Sequence, residues 1–243
     1  MDNFFDIMND GKRKIAILID PEKRNNAAEL DELLAKINIL SPSFIFVGGS
    51  TVSVDDFNNC INHLKACTDI PLIIFPGSAH QISEKADGIL FLSLISGRNP
   101  DFLIGHQIES AHQLKKMDIT ILPTGYILID GGKTSSVAYV SQTTPIPSDQ
   151  YNIAAKTAIA GELLGLKSIF MDAGSGANSP ISAEMIRSVR KSIDIPLIIG
   201  GGIQTIEEID IAFNAGADLV VIGNKIERDI DFLLDIKMVI ENK

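Results

Sequence analysis

Three observations predict a TIM-type (β/α)8 barrel of the α/β class. Eight short apolar runs recur, amphipathic segments lie between most of them, and the first run is followed by no glycine-rich turn. The runs are KIAILID (14–20), FIFVGG (44–49), PLIIFPG (71–77), GILFLSL (88–94), GYILID (125–130), SIFMDAG (168–174), PLIIGGG (196–202) and LVVIGN (219–224). They are continuous rather than alternating, which suits strands covered on both faces. The alternative is a doubly wound open sheet. That fold expects glycines after its first strand, where this chain has LIDPEK.

Helices are expected at AAELDELLAKINIL (27–40), SAEMIRSVRKSI (182–193) and TIEEIDIAFNAGA (205–217), among others. Ser182 and Thr205 are N-cap candidates, each followed by a carboxylate in the next turn. Pro71 and Pro196 stand just before strands, where a missing N–H is tolerated. Two places depart from a regular barrel. The third crossover, GSAHQISEKAD, has room for only a shortened helix or a replacement for one. Residues 131–152, polar and containing prolines, read as an inserted loop or arm that serves as a lid or interface element. The whole chain, 1–243, is expected to form a single barrel domain.

Composition narrows the function classes. Hydrophobic residues make up 45% and charged residues 21%, a globular profile. The net charge of −10 argues against a general nucleic-acid binder, which needs a basic face to replace counterions. It argues equally against simple electrostatic adhesion to an anionic membrane. The N-terminus MDNFFDIMNDGKRK lacks a signal-peptide core, and no apolar run spans a bilayer, so a cytoplasmic protein is expected. A greasy substrate and peripheral membrane contact remain compatible with that. Cys60 and Cys67, two turns apart on one helix face, are too far apart for a relaxed disulfide and read as small core residues. His63, His80, His106 and His112 show no metal spacing and read as solvated or capping residues.

Glycines cluster at the ends of the runs: Gly48-Gly49-Ser50, Ala173-Gly174-Ser175-Gly176, Gly200-Gly201-Gly202 and Gly223-Asn224. Barrel enzymes place their chemistry at these ends. Glycine lets backbone N–H groups approach an anion, and a phosphate site built from loops seven and eight recurs across barrels. Tight βα turns are the alternative explanation, but three neighbouring clusters favour phosphate. Gly131-Gly132-Lys133-Thr134 is not a nucleotide loop, because Ile127 stands where that pattern needs glycine. Asp20 and Asp130 end runs one and five, and Asp172 stands at the expected end of strand six. Such a carboxylate caps a loop, binds a metal or acts as acid or base. Asp20, near Lys23 and Arg24, suits a Mg2+-bridged diphosphate, with Ser50 adding a hydroxyl from the next strand end. Asp172, just before the phosphate loop, suits a general base.

In order along the chain, LIDPEK, FVGGS, PLIIFPGS, SGRNPDFLIGHQ, PTGYILID, MDAGSGA, IIGGGI and VIGN resemble the geranylgeranylglyceryl phosphate synthases and their heptaprenyl relatives. The PIP-containing insertion is similar to the second of that family's two groups. The resemblance implies transfer of a polyprenyl group, of geranylgeranyl type, from its diphosphate to the C3 hydroxyl of sn-glycerol 1-phosphate. It implies Mg2+ at Asp20 and Ser50, and a glycerol phosphate site at Phe170, Met171, Asp172, Ala173, Gly174, Ser175, Gly176, Gly201, Gly202, Gly223 and Asn224. The family's base is a glutamate where this chain has Asp172, and a tyrosine often stands at the place of Phe170. Lys23 and Arg98 are candidates for the diphosphate, and FLSLI (91–95) and Tyr126 for the prenyl tail. A homo-oligomer, dimer or hexamer, is implied as well. Two rival readings remain at this level: a phosphate-substrate isomerase or lyase on the same scaffold, and a non-catalytic barrel that binds a phosphate ligand.

Overall fold

The computed structural model describes residues 4–8, 12–23 and 27–241. Eight parallel strands close into a barrel in sequence order: β1 (Lys14–Ile19), β2 (Phe44–Val47), β3 (Leu72–Ile74), β4 (Gly88–Leu94), β5 (Thr120–Leu128), β6 (Ser168–Asp172), β7 (Leu197–Gly200) and β8 (Leu219–Ile222). Pairing of β1 with β8, Ile17 opposite Ile222, closes the ring. The open-sheet alternative is thereby removed.

The strands are apolar on both faces because two cores flank them. Ala16, Phe44, Phe46, Leu90, Phe170, Ile198 and Val221 fill the interior. Ile17, Ile45, Ile127, Ile169, Met171 and Ile199 face the outer helices. Side chains alternate along a strand, so Phe170 and Asp172 point inward from β6 while Met171 points outward.

The first helix is α1 (Phe4–Met8), which the sequence did not reveal. Its Phe4 ring packs 4.7 Å from Phe44 and helps plug the N-terminal end of the barrel. Helices α2 (Ala27–Leu40) and α3 (Val54–Cys67) cover β1 to β3. No helix forms between β3 and β4. Gln81 does its joining work there: its Nε2 donates to the Gly49 carbonyl at 2.8 Å and its Oε1 accepts from Gly77 N at 3.0 Å. The expectation of a replaced third helix therefore holds. A π-turn (Asp101–Gly105) and α4 (His106–Leu114) follow β4.

Strand β5 begins at Thr120, earlier than the run at 125 suggested, and contains Pro123. The Pro123 carbonyl accepts from Lys167, the residue just before β6 begins. In a parallel ladder one residue's N–H and C=O face the same neighbour, so the missing N–H falls where β6 has not yet started. After β5 the insertion folds into α5 (Ser136–Ser141), capped by the Ser135 hydroxyl. Ile146 pairs with Ile129 and pins the arm to the end of β5. Helix α6 (Tyr151–Leu163) follows.

Helices α7 (Ala183–Arg190) and α8 (Ile206–Ala215) carry the expected caps: Ser182 accepts from Met185 N, and Thr205 forms a reciprocal box with Glu208. The chain ends in α9 (Asn224–Arg228) and α10 (Phe232–Glu241). One expectation fails on α3. Cys60 is buried, but Cys67 is exposed because it is the last residue of the helix, beyond the buried turn at Leu64.

Candidate active site

The C-terminal strand ends open into one cavity. Asp20, Gly49, Ser50, Phe75, Tyr126, Asp172, Ser175, Gly201, Gly202, Gly223 and Asn224 all line it. The loops after strands six, seven and eight converge there, as the glycine pattern requires. A Cβ placed on Gly201, which has φ +80°, would lie 2.7 Å from Ala173 N and 2.8 Å from Gly174 N and would strike the Asp172 carboxylate. Only glycine allows loops six and seven to close to this distance.

Asp172 is 8% exposed, and both of its oxygens are engaged. Oδ1 accepts from Gly174 N at 2.8 Å, and Oδ2 accepts from the Tyr126 hydroxyl. Burial raises its pKa above the ordinary carboxylate range, and these two donors pull it partly back. The Tyr126 phenol is driven well above its usual value, first by burial and then by the Asp172 charge. The Tyr126 ring stands perpendicular to Phe170, 5.6 Å away, and Phe75 completes the aromatic floor at 5.2 Å from Phe170. The sequence suggested Tyr126 only as a tail contact and did not reveal its bond to Asp172. The signal was the inward register: Tyr126 sits opposite Phe170 and Leu128 opposite Asp172.

Asn224 bridges loops six and eight. Its Oδ1 accepts from Ser175 Oγ and from Gly176 N, both at 3.1 Å. The structure divides the other loop-six residues. The side chains of Met171 and Ala173 pack in the outer core and do not line the cavity. Gly174 and Gly176 also lie off the lining; their amides serve Asp172 and Asn224 instead.

On the opposite rim, Asp20 follows β1 and accepts from Glu22 N at 3.2 Å. Burial raises its pKa, and the Lys23 ammonium, 3.5 Å away, acts in the other direction. A Cβ on Gly49 would lie 2.6 Å from Asp20 Oδ1, so the space beside this carboxylate exists because residue 49 has no side chain. Asp20 and the neighbouring Ser50 offer hard oxygen donors, which fit Mg2+ better than a soft transition metal. Lys23 also pairs with Glu227, at 3.0 Å, a residue the sequence analysis passed over. Arg24 lies outside the described residues. Arg98 is exposed, is absent from the lining and donates to the Gly97 carbonyl, so it does not reach the cavity.

An apolar arm of the cavity runs toward the crossover that lacks a helix. Phe91, Leu92 and Leu94 of FLSLI line it, whereas Ser93 and Ile95 do not, and Ala79, Ile82, Phe102 and Val137 join them. Two polar residues are unexpected there. His106 stacks on Phe102 at 4.7 Å, and buried Gln107 donates to the Leu92 carbonyl while its Oε1 has no partner among the described residues. Elsewhere, Asp31, His63 and Cys67 come together on the outer face of α2 and α3, a cluster invisible in spacing because Asp31 belongs to another helix. The His63–Asp31 hydrogen bond of 2.7 Å accounts for it.

Residues 8–242 match the PcrB family. The chain is 46% identical to a geranylgeranylglyceryl phosphate synthase of Chitinophaga pinensis, over 95% of this chain and 91% of that one. It is 40% identical to the enzyme of that name from Thermococcus kodakarensis, over 87% and 83% respectively. Among solved structures, (S)-3-O-geranylgeranylglyceryl phosphate synthase from Thermoplasma acidophilum, in complex with its substrate sn-glycerol-1-phosphate, superposes with a TM-score of 0.92. That match is 32% identical and covers 99% of this chain and 98% of the other. With a match over nearly its full length and relatives of this similarity, the chain belongs to the PcrB family.

Proposed function

We propose that this protein transfers a geranylgeranyl-type polyprenyl group from its diphosphate to the C3 hydroxyl of sn-glycerol 1-phosphate, with Mg2+ at Asp20 and Ser50. One observation carries this reading. A single cavity joins glycine loops suited to a phosphate, a buried carboxylate and an apolar arm. The relatives' names and the substrate of the Thermoplasma acidophilum enzyme support it.

The acceptor's phosphate is held by Ser175, Gly201, Gly202, Gly223 and Asn224. This places its C3 hydroxyl toward Asp172. The prenyl tail lies in the apolar arm formed by Phe91, Leu92 and Phe102. Asp20 and Ser50 would hold Mg2+, which would supply charge neutralisation to the leaving diphosphate. The allylic C1–O bond breaks, and its electron pair leaves with the diphosphate. The acceptor oxygen bonds to C1, and its proton passes to Asp172. The carboxylate needs only to accept a proton late, because the allylic carbon is already a strong electrophile. Tyr126 and Gly174 hold Asp172 in place while it does so.

The proposal extends to a cytoplasmic homo-oligomer. Among the described residues no helix is long and apolar enough to cross a membrane. Exposed Leu163 and Leu164 offer apolar surface to a second copy. Incubation with labelled sn-glycerol 1-phosphate and prenyl diphosphates of graded length, with and without Mg2+, tests the reaction. Ether product only in the presence of metal is expected. Water-soluble products alone would favour an isomerase or lyase, and binding without turnover would favour a non-catalytic barrel.

A further inference from the structure

The two sides of the cavity mouth are tied together by one acidic side chain. Lys23 Nζ lies 3.0 and 3.1 Å from the two oxygens of Glu227 and 3.5 Å from Asp20 Oδ2. Three residues before Glu227, Asn224 Nδ2 donates to Glu227 Oε2 at 3.3 Å. The oxygen of the same carboxamide accepts from Ser175 and Gly176. An unbroken run of polar contacts therefore goes from the end of β1, through α9, to the loop after β6. Asp20, Lys23, Glu227, Asn224 and Ser175 all line the cavity.

A carboxylate beside a phosphate site repels its ligand unless a cation neutralises it. Here the Lys23 ammonium lies against both Asp20 and Glu227. A divalent ion on Asp20 repels Lys23 and drives it toward Glu227. The better-neutralised Glu227 then opposes the acceptor's phosphate less, and it still holds Asn224 against loop six. Linkage requires the effect to run both ways.

We infer that Glu227 is a positioning residue that couples the two substrate sites, so that donor diphosphate with its cation and glycerol phosphate bind cooperatively. This rests on the function proposed above. The test is calorimetric titration of the intact protein with sn-glycerol 1-phosphate, alone and with Mg2+ plus inorganic diphosphate as a non-reacting probe of the donor side. In the wild type the affinity rises roughly 5-fold or more when the probe is present. Glu227→Gln keeps an acceptor for Asn224 but loses the charge. The probe's effect then shrinks to within about 2-fold, because glycerol phosphate already binds the donor-free variant more tightly than the donor-free wild type, and in turnover its KM does not rise. Should Glu227→Gln fail to fold, Glu227→Asp carries the same test, because the shorter side chain keeps the charge but withdraws it from Lys23. Absence of coupling in the wild type, or coupling undiminished in the variant, overturns this inference alone. A wild type that binds no glycerol phosphate under any condition overturns the proposed function and the coupling with it.

Discussion

The Tyr126 hydroxyl donates to the Asp172 carboxylate inside the barrel mouth, from the neighbouring strand. This bond stabilises the charged form of a group whose burial favours the neutral one. Removal of the hydroxyl therefore raises the Asp172 pKa further. Activity that needs the carboxylate is lost as pH falls through that pKa, so in Tyr126→Phe the acid limb of the pH–rate profile moves to higher pH. kcat at neutral pH falls by roughly 10-fold, the effect of about one charged hydrogen bond. An unmoved acid limb would detach Tyr126 from the proton transfer.

Asp172→Asn keeps the shape of the site and removes the base. Transfer falls by roughly 10²- to 10⁴-fold, while glycerol phosphate binding, measured by calorimetry, stays close to wild type. Unchanged turnover would take Asp172 out of the mechanism. The substitution also relieves the burial of a charge. A carboxyl whose folded pKa is raised favours the fold below its unfolded pKa and loses that contribution as pH rises through the folded value. The thermal stability of Asp172→Asn should accordingly depend less on pH, across the range just above the ordinary carboxylate pKa, than that of the wild type.

Asp20→Ala is expected to abolish both activity and the response to added Mg2+, because it removes the carboxylate beside the gap at Gly49. Steady-state rates across a magnesium titration provide the measurement. Full activity in this variant would refute the metal assignment.

Thr205→Ala removes one half of the capping box at the start of α8. The expected cost is about 1 kcal/mol. For a chain of this size that lowers Tm by roughly 2–4 °C, with kcat unaffected, since Thr205 does not line the cavity. Thermal melting and a rate assay on the same preparation separate the two effects.

The barrel was legible in the sequence because its causes are local. Continuous β-branched runs, caps at Ser182 and Thr205, and glycines at strand ends each leave a mark within a few residues. For the same reason the glycine loops and the carboxylates at Asp20 and Asp172, which line one cavity, could be named in advance. What only the tertiary structure decided involves partners far apart along the chain. Tyr126 meets Asp172 because β5 and β6 pair in one register, and Lys23 meets Glu227 because β8 closes onto β1. Met171 and Ala173 were assigned to the site by the family resemblance, and the structure packs their side chains in the outer core. Local pattern sets which elements form, whereas ring closure and register set which side chains face one another.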